Sequence, residues 1–200
     1  MHFIRNIFVL LLVAVFTNLQ AQLLDSIDLS HAKIYDNLEE ALLKPDSVYR
    51  LVLKRKKYKE IPGEVFQFTN LQELVLKNNK LKELTPKIGD LVNLQWLDLS
   101  RNKLESLPGG IGQLTNLKYL AISQNELYEL PPEMGNLENL EFLDAWSNNL
   151  GTFPAEMANL KNLQKVDMRA IMLSDAEKEQ LILLLPDVKF FFSLGCNDCD

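Results

Sequence analysis

Cys196 and Cys199 are the only cysteines of this 200-residue chain and stand as a Cys-x-x-Cys within its last five residues. A pair at that spacing can exchange disulfides when a helix N-terminus or a neighbouring cation lowers a thiol pKa. Here only Asp200 follows, and Asp198 and Asp200 oppose a thiolate. A zinc site would lack its third and fourth ligands, because His31 belongs to the opposite end of the chain and His2 to a segment read below as removed. In an oxidising compartment the pair reads as a small disulfide loop or a tail. With two histidines, no Gly-x-Ser-x-Gly and no phosphate loop, general-base and nucleophilic catalysis have little to draw on. No catalytic, cofactor-binding or metal-binding residue is assigned.

The other candidates serve recognition rather than bond-making. Trp96, Tyr119 and Phe142 recur at a constant spacing, with Trp146, Asp98 and Asp144 close by in sequence. The run Lys54-Arg55-Lys56-Lys57-Tyr58-Lys59 is the one local charge anomaly and reads as a solvated basic end of the fold. Composition sets the frame for these residues. With 47% hydrophobic and 24% charged residues, 8 Gly and 8 Pro, the chain is an ordinary folded protein. At this length it can bury a core without metal or disulfide staples. A net charge of −6 argues against a nucleic-acid partner, which calls for a basic surface that displaces phosphate counterions.

Residues 1–21 have the layout of a secretory signal peptide: basic Arg5, the apolar stretch Ile7 to Phe16, polar Thr17, Asn18 and Gln20, then small Ala21. That stretch is too short to span a bilayer, which takes about 20 residues. Cleavage after Ala21 predicts a mature chain that starts at Gln22, has no membrane span, and is secreted or periplasmic; an uncleaved anchor is the rival reading.

The elements that position the recognition residues follow from an internal period. Leu71, Leu94, Leu117, Leu140 and Leu163 recur every 23 residues. In register with them run Leu74, Leu76, Asn79, Leu81; Leu97, Leu99, Asn102, Leu104; Leu120, Ile122, Asn125, Leu127; and Leu143, Ala145, Asn148, Leu150. Degenerate copies flank these, with Val48, Leu51, Leu53, Lys56 and Tyr58 before and Val166, Met168, Ile171 and Leu173 after. The alternation Leu97-Asp98-Leu99 is that of a strand, leucines inward and neighbours outward. The stacked asparagines have the donors and acceptor to satisfy turn backbone that burial would otherwise leave unpaired. Pro62, Pro108, Pro131 and Pro154, with Pro86 one place later, fix the chain as it leaves the strand side.

Each copy resembles the leucine-rich repeat. Its second half, as in Leu107-Pro108-Gly109-Gly110-Ile111-Gly112-Gln113-Leu114-Thr115-Asn116-Leu117, is similar to the 23-residue class of plant intracellular Ras-group repeats and of bacterial exported proteins. The resemblance implies an α/β solenoid: a horseshoe arc whose concave side is a parallel β-sheet with one strand per repeat.

Organisation then reads as an N-terminal cap at 22–47, six repeats at 48–173, a C-terminal cap at 174–194 and a tail at 195–200. Exposed array ends need covers. Asp36 followed by Glu39 predicts a capping box opening a helix through Leu38, Ala41, Leu42 and Leu43. Ser174 and Glu177 predict a second, through Leu181, Leu184 and Leu185, followed by an extended Val188 to Phe192. Within each repeat the third, fifth and seventh positions face outward. The third-position column reads Arg50, Glu73, Trp96, Tyr119, Phe142, Lys165, so three aromatics form a ridge that Trp146 joins, flanked by Asp98, Asp144 and Asp167, with Lys54 and Lys77 at the basic end. Exposed aromatics beside charges are the composition of interface hot spots. The expectation is therefore a non-enzymatic module that binds a protein or peptide ligand through Trp96, Asp98, Tyr119, Phe142, Asp144 and Trp146. Rings that merely pack on one another across strands are the competing explanation. An envelope protein associating through array ends, and a thiol-redox protein using the Cys pair, are the alternative functions.

Overall fold

Each repeat opens on a three-residue strand, because three residues suffice to place one leucine inward between two outward side chains. In the computed structural model, which describes residues 23–193, the strands are β1 (Ile34–Tyr35), β2 (Arg50–Val52), β3 (Glu73–Val75), β4 (Trp96–Asp98), β5 (Tyr119–Ala121), β6 (Phe142–Asp144), β7 (Lys165–Asp167) and β8 (Lys189–Phe191). The proposed signal segment and the Cys196/Cys199 tail lie outside the described residues. All eight strands are parallel and follow one another in chain order in a single open sheet. From β2 to β7 every pairing joins residues one sequence period apart, as in Leu74↔Leu97 and Leu97↔Leu120. A one-residue slip would turn the leucines out, which pins this register. Leu51, Leu74, Leu97, Leu120, Leu143 and Val166 are fully buried and belong to one continuous core.

The turn after each strand is held by the asparagine column. Asn102 Nδ2 donates to Leu76 O at 3.1 Å and Leu99 O at 2.8 Å, while its Oδ1 accepts from Leu81 N at 3.1 Å. Asn125 and Asn148 repeat the arrangement one and two repeats on, and Asn79 makes it one repeat earlier with Tyr58 N while accepting a further bond from Lys56 N. One side chain thus satisfies backbone groups of two successive coils.

The chain returns along the other side in short 3₁₀ turns at Gly63–Gln67, Pro86–Asp90, Gly109–Gln113, Pro132–Asn136 and Ala155–Asn159. Pro62, Pro108, Pro131 and Pro154 each occupy the residue before such a turn, and Pro86 its first position, where no N–H is needed. The turns stack so closely that a Cβ at Gly135 would overlap the carbonyl oxygen of Glu156. Ala158 takes the equivalent place in the last turn, which packs on the preceding turn and toward a helix, with no further such turn after it among the described residues.

Helices α1 (Ser26–His31) and α2 (Leu38–Leu42) precede the repeats, and α3 (Asp175–Leu184) follows them. The expected Asp36–Glu39 capping box is corrected: α2 starts at Leu38, so Asn37 is the cap, accepting from Glu39 N at 2.8 Å and Glu40 N at 3.4 Å. Asp36 stands one residue too early to reach those amides. The Ser174–Glu177 box does form, with Ser174 N donating to Glu177 Oε2 at 2.7 Å and Glu177 N to Ser174 Oγ at 3.3 Å. Leu181 and Leu185 turn into the core, while Ile182 and Leu183 face solvent. Among the described residues no helix is long and apolar enough to cross a membrane.

Candidate functional site

The register that buries the leucines also aligns the outward residues. Trp96 pairs with Tyr119 and Tyr119 with Phe142, which brings three rings onto neighbouring strands. The Trp96 and Tyr119 rings stack with centroids 3.6 Å apart and planes 9° from parallel. Tyr119 and Phe142 follow at 5.2 Å and 29°. Cross-strand packing therefore accounts for the flanks of the rings. It leaves Trp96 40% exposed at the open end of the stack, although a tryptophan seldom remains so accessible without a reason.

Trp146 does not extend this ridge. It is half-buried beyond the end of β6, its carbonyl accepts from Gln124 N at 2.9 Å, and it is not among the stacked rings of the described residues. The seventh position lies past the strand, where the chain is already turning, so it does not continue the geometry of the third.

In the fifth-position column Asp98, Ala121, Asp144 and Asp167 lie side by side. Asp98 Oδ1 accepts from the amide of Ser100 at 2.9 Å and from its hydroxyl, and Lys77 Nζ lies 3.9 Å from Oδ2. Asp167 is forked by Arg169, with Nη2 at 2.6 Å from Oδ2 and Nε at 3.0 Å from Oδ1. Asp144 accepts from the Ser123 hydroxyl at 2.8 Å, but its buried Oδ1 has no hydrogen bond of good geometry. Burial pushes the Asp144 carboxyl above its ordinary pKa; the Ser123 hydroxyl and the Trp146 amide oppose the shift, and the negative charges of Asp167 and Asp98 add to it. Tyr119 is pushed up to about 12, first by burial and then by Asp144, Asp98 and Asp167, so its hydroxyl keeps its proton beside the acids.

Two features of the site were not foreseen in the sequence. The first is a wall. Leu24 is tied to the starts of β3 and β4 by its N–H to Gln72 Oε1 at 2.9 Å and by Gln95 Nε2 to its carbonyl at 2.8 Å. Asp25 caps α1 by accepting from the amides of Ile27 and Asp28, and Arg50, ion-paired with Glu73, donates to Ser30 O at 2.8 Å. Between α1 and the stack runs a groove of about 450 Å³, lined by Ser26, Leu29, Gln95, Trp96, Lys118, Tyr119, Glu141 and Phe142. The second is a depression of about 520 Å³ on the far side of Phe142, lined by Lys165, Asp167, Arg169 and Phe191. The rim residues Gln95, Lys118 and Glu141 occupy the second repeat position, a column whose 23-residue spacing is visible in the sequence. At the basic end Lys54, Arg55, Lys77 and Arg101 gather around a smaller hollow of about 220 Å³.

A family profile described as the leucine-rich repeat region matches residues 51–189. The chain belongs to the leucine-rich repeat family. Comparison with curated protein sequences gives no match. Among solved structures it is similar to a leucine-rich repeat protein of Leptospira interrogans, at 33% identity and TM-score 0.60, covering 74% of this chain and 43% of that one. It is also similar in fold to the internalin InlF of Listeria monocytogenes, at 22% identity and TM-score 0.63, covering 74% of this chain and 42% of that one. A third similarity is to the leucine-rich repeat ectodomain of the Arabidopsis thaliana membrane receptor kinase GASSHO1/SCHENGEN3, solved in complex with Casparian strip integrity factor 2. There the identity is 31% and the TM-score 0.59, covering 72% of this chain and 18% of that one. The present leucine-rich repeat chain thus spans less than half the length of each. A repeat array of this kind suits protein interaction, because its strands present one broad, modular face.

Proposed function

We propose that this leucine-rich repeat protein is a non-enzymatic, exported module that holds a protein or peptide ligand on its concave face. Trp96, Tyr119 and Phe142 supply the apolar contact, Asp98 and Asp144 set its polarity, and Trp146 borders the acidic side. The observation that carries this reading is the exposed Trp96 at the open end of a three-ring stack, outside a core whose inward positions are already filled by leucine. The receptor ectodomain solved with its partner gives the same fold a binding role in that protein. Export follows from the sequence of residues 1–21.

The test compares the protein with its Trp96→Ala/Phe142→Ala variant in capture from the extracellular or periplasmic fraction of its host. Partner capture should disappear in the variant while the circular dichroism spectrum is unchanged. Capture that survives both changes places the site elsewhere. Intact-mass measurement of the native protein should show a chain beginning near Gln22, and a cytosolic chain that retains Phe3 to Phe16 would refute export.

A further inference from the structure

The groove beside α1 lies where the strands begin; the basic hollow lies past the ends of β2, β3 and β4, at the opposite rim of the concave face. Lys54, Arg55, Lys77, Asn78 and Arg101 line its 220 Å³ or so, and no acid is among them. The chain answers these charges poorly. Lys77 Nζ stands 3.9 Å from Asp98 Oδ2, and Asp98 already accepts two hydrogen bonds from Ser100. Arg101 donates to a neutral partner, Gln124 Oε1, at 2.6 Å. Lys54 and Arg55 are exposed and have no ion pair among the described residues. A soluble surface ordinarily intersperses both signs, and this chain carries a net charge of −6, so four cations around one concavity run against its balance.

The fold does not ask for these cations. Arg55, Asn78, Arg101 and Gln124 hold the same place in successive repeats, each with left-handed backbone at φ 54° to 60°. The amides of Arg55, Asn78 and Arg101 each donate to a carbonyl of the next coil at 2.9–3.1 Å, which fixes where the side chains leave the turn. Yet Gln124 and Ser147 serve that turn as well as arginine does, and one position earlier Lys54 and Lys77 give way to Ser100 and Ser123. We propose that this hollow binds a phosphate monoester group. A phosphoryl group brings nearly two negative charges and three acceptor oxygens, which suits donors converging from neighbouring turns; a carboxylate or a phosphodiester brings one charge. Arg55 and Arg101 offer planar forks, Lys54 and Lys77 compact charges, and the Asn78 amide a neutral donor. The site is separate from the groove and does not rest on the peptide-binding reading.

The experiment titrates protein purified from its host with glycerol 1-phosphate in phosphate-free buffer by calorimetry, with dimethyl phosphate as the singly charged control. In parallel the protein is pelleted with phosphatidylcholine vesicles carrying phosphatidic acid, whose headgroup is the same monoester on a lipid. Glycerol 1-phosphate should bind, and Arg55→Gln/Arg101→Gln should weaken it about 10-fold, the scale of a lost charge-assisted contact. Glutamine keeps the turn, since Gln124 already holds that place. Lys87→Gln/Lys161→Gln, which removes the same charge from the side of the 3₁₀ turns, should leave binding unchanged, as should Trp96→Ala/Phe142→Ala. Pelleting with the vesicles upholds the site with a lipid headgroup as its source; glycerol 1-phosphate binding without pelleting upholds it with a soluble phosphorylated ligand. The inference is overturned if glycerol 1-phosphate does not bind, or if dimethyl phosphate or a DNA duplex binds as tightly. It is overturned equally if binding survives Arg55→Gln/Arg101→Gln, falls as far in Lys87→Gln/Lys161→Gln, or is lost with the rings.

Discussion

Along the inner side of the sheet the same side chain recurs from β2 to β6, as Leu51, Leu74, Leu97, Leu120 and Leu143. One residue earlier, on the outer side, the column reads Arg50, Glu73, Trp96, Tyr119, Phe142 and Lys165. The two columns belong to the same strands and share one register. Inside, every coil meets a copy of itself above and below, so one shape that stacks on itself is favoured at every level. Outside, no such constraint operates, and the column passes from Arg50 and Glu73 through three aromatics to Lys165. Uniformity thus marks what the fold requires and variation marks what the surface is free to specify.

The contrast predicts that the inner column is costly to change. Leu120→Ala in that column, or Leu99→Ala in the inward column two residues on, should each destabilise the protein by about 2–5 kcal/mol in chemical denaturation, the range for buried large-to-small changes. A loss below about 0.5 kcal/mol at both would break the comparison, since the inner column would then be no more demanding than the outer. Next in size comes the asparagine ladder. Asn125→Ala would leave the amide of Leu104 without a partner in the core and take one of two asparagine donors from each of the carbonyls of Leu99 and Ile122. It should cost about 2–3 kcal/mol, and Asn125→Asp should not restore the loss, because a carboxylate cannot donate.

The sequence carries the repeated parts of this molecule well and the unrepeated parts poorly. Strand register, the buried leucines, the ladder and the alignment of Trp96, Tyr119 and Phe142 all follow from one period, since each is a property of stacking. A second ladder was equally visible: Asn70, Asn93, Asn116, Asn139 and Asn162 each donate to a carbonyl of the preceding coil, at 2.6–2.9 Å. By contrast α1 has six residues and buries only Leu29. Its place is set by Gln72, Gln95 and Arg50, which lie 20 to 71 positions away along the chain from the residues they bond. No local pattern encodes such contacts, so the wall of the groove was not legible. The cap at Asn37 instead of Asp36 is a smaller instance, because either residue can cap and only the position of Leu38 decides.

On the outer column the expected effects are smaller. Trp96→Ala should cost at most about 1 kcal/mol, the scale of a cross-strand aromatic pair, because the ring leaves no core cavity behind. The decisive comparison is of two readouts on this one variant: stability nearly intact and partner capture lost. A loss of stability as large as that of Leu99→Ala would show the stack to be a structural element and the outer column to be no freer than the inner.

The smallest effect sharpens the contrast most, since it carries the opposite sign. The folded-state pKa of Asp144 is raised above the 3.8 of a free side chain, chiefly by burial, so the folded protein holds that proton more tightly than the unfolded chain does. By linkage, ionised Asp144 weakens the fold. The penalty is absent below the unfolded pKa, grows as pH rises through the raised folded value, and is constant above it. Asp144→Asn, which keeps the size of the side chain and a partner for Ser123, should therefore melt slightly higher than the parent at neutral pH. The advantage should fade as pH falls toward 3.8, where the parent carboxyl is itself protonated. A difference that does not change with pH, or a parent that is the more stable at neutrality, would mean that Asp144 is held in place by contacts the fold needs. A pH-dependent gain would show a carboxylate kept on the outer column at the expense of stability, which no inner position displays and which sets the outer column apart as one not chosen for folding alone.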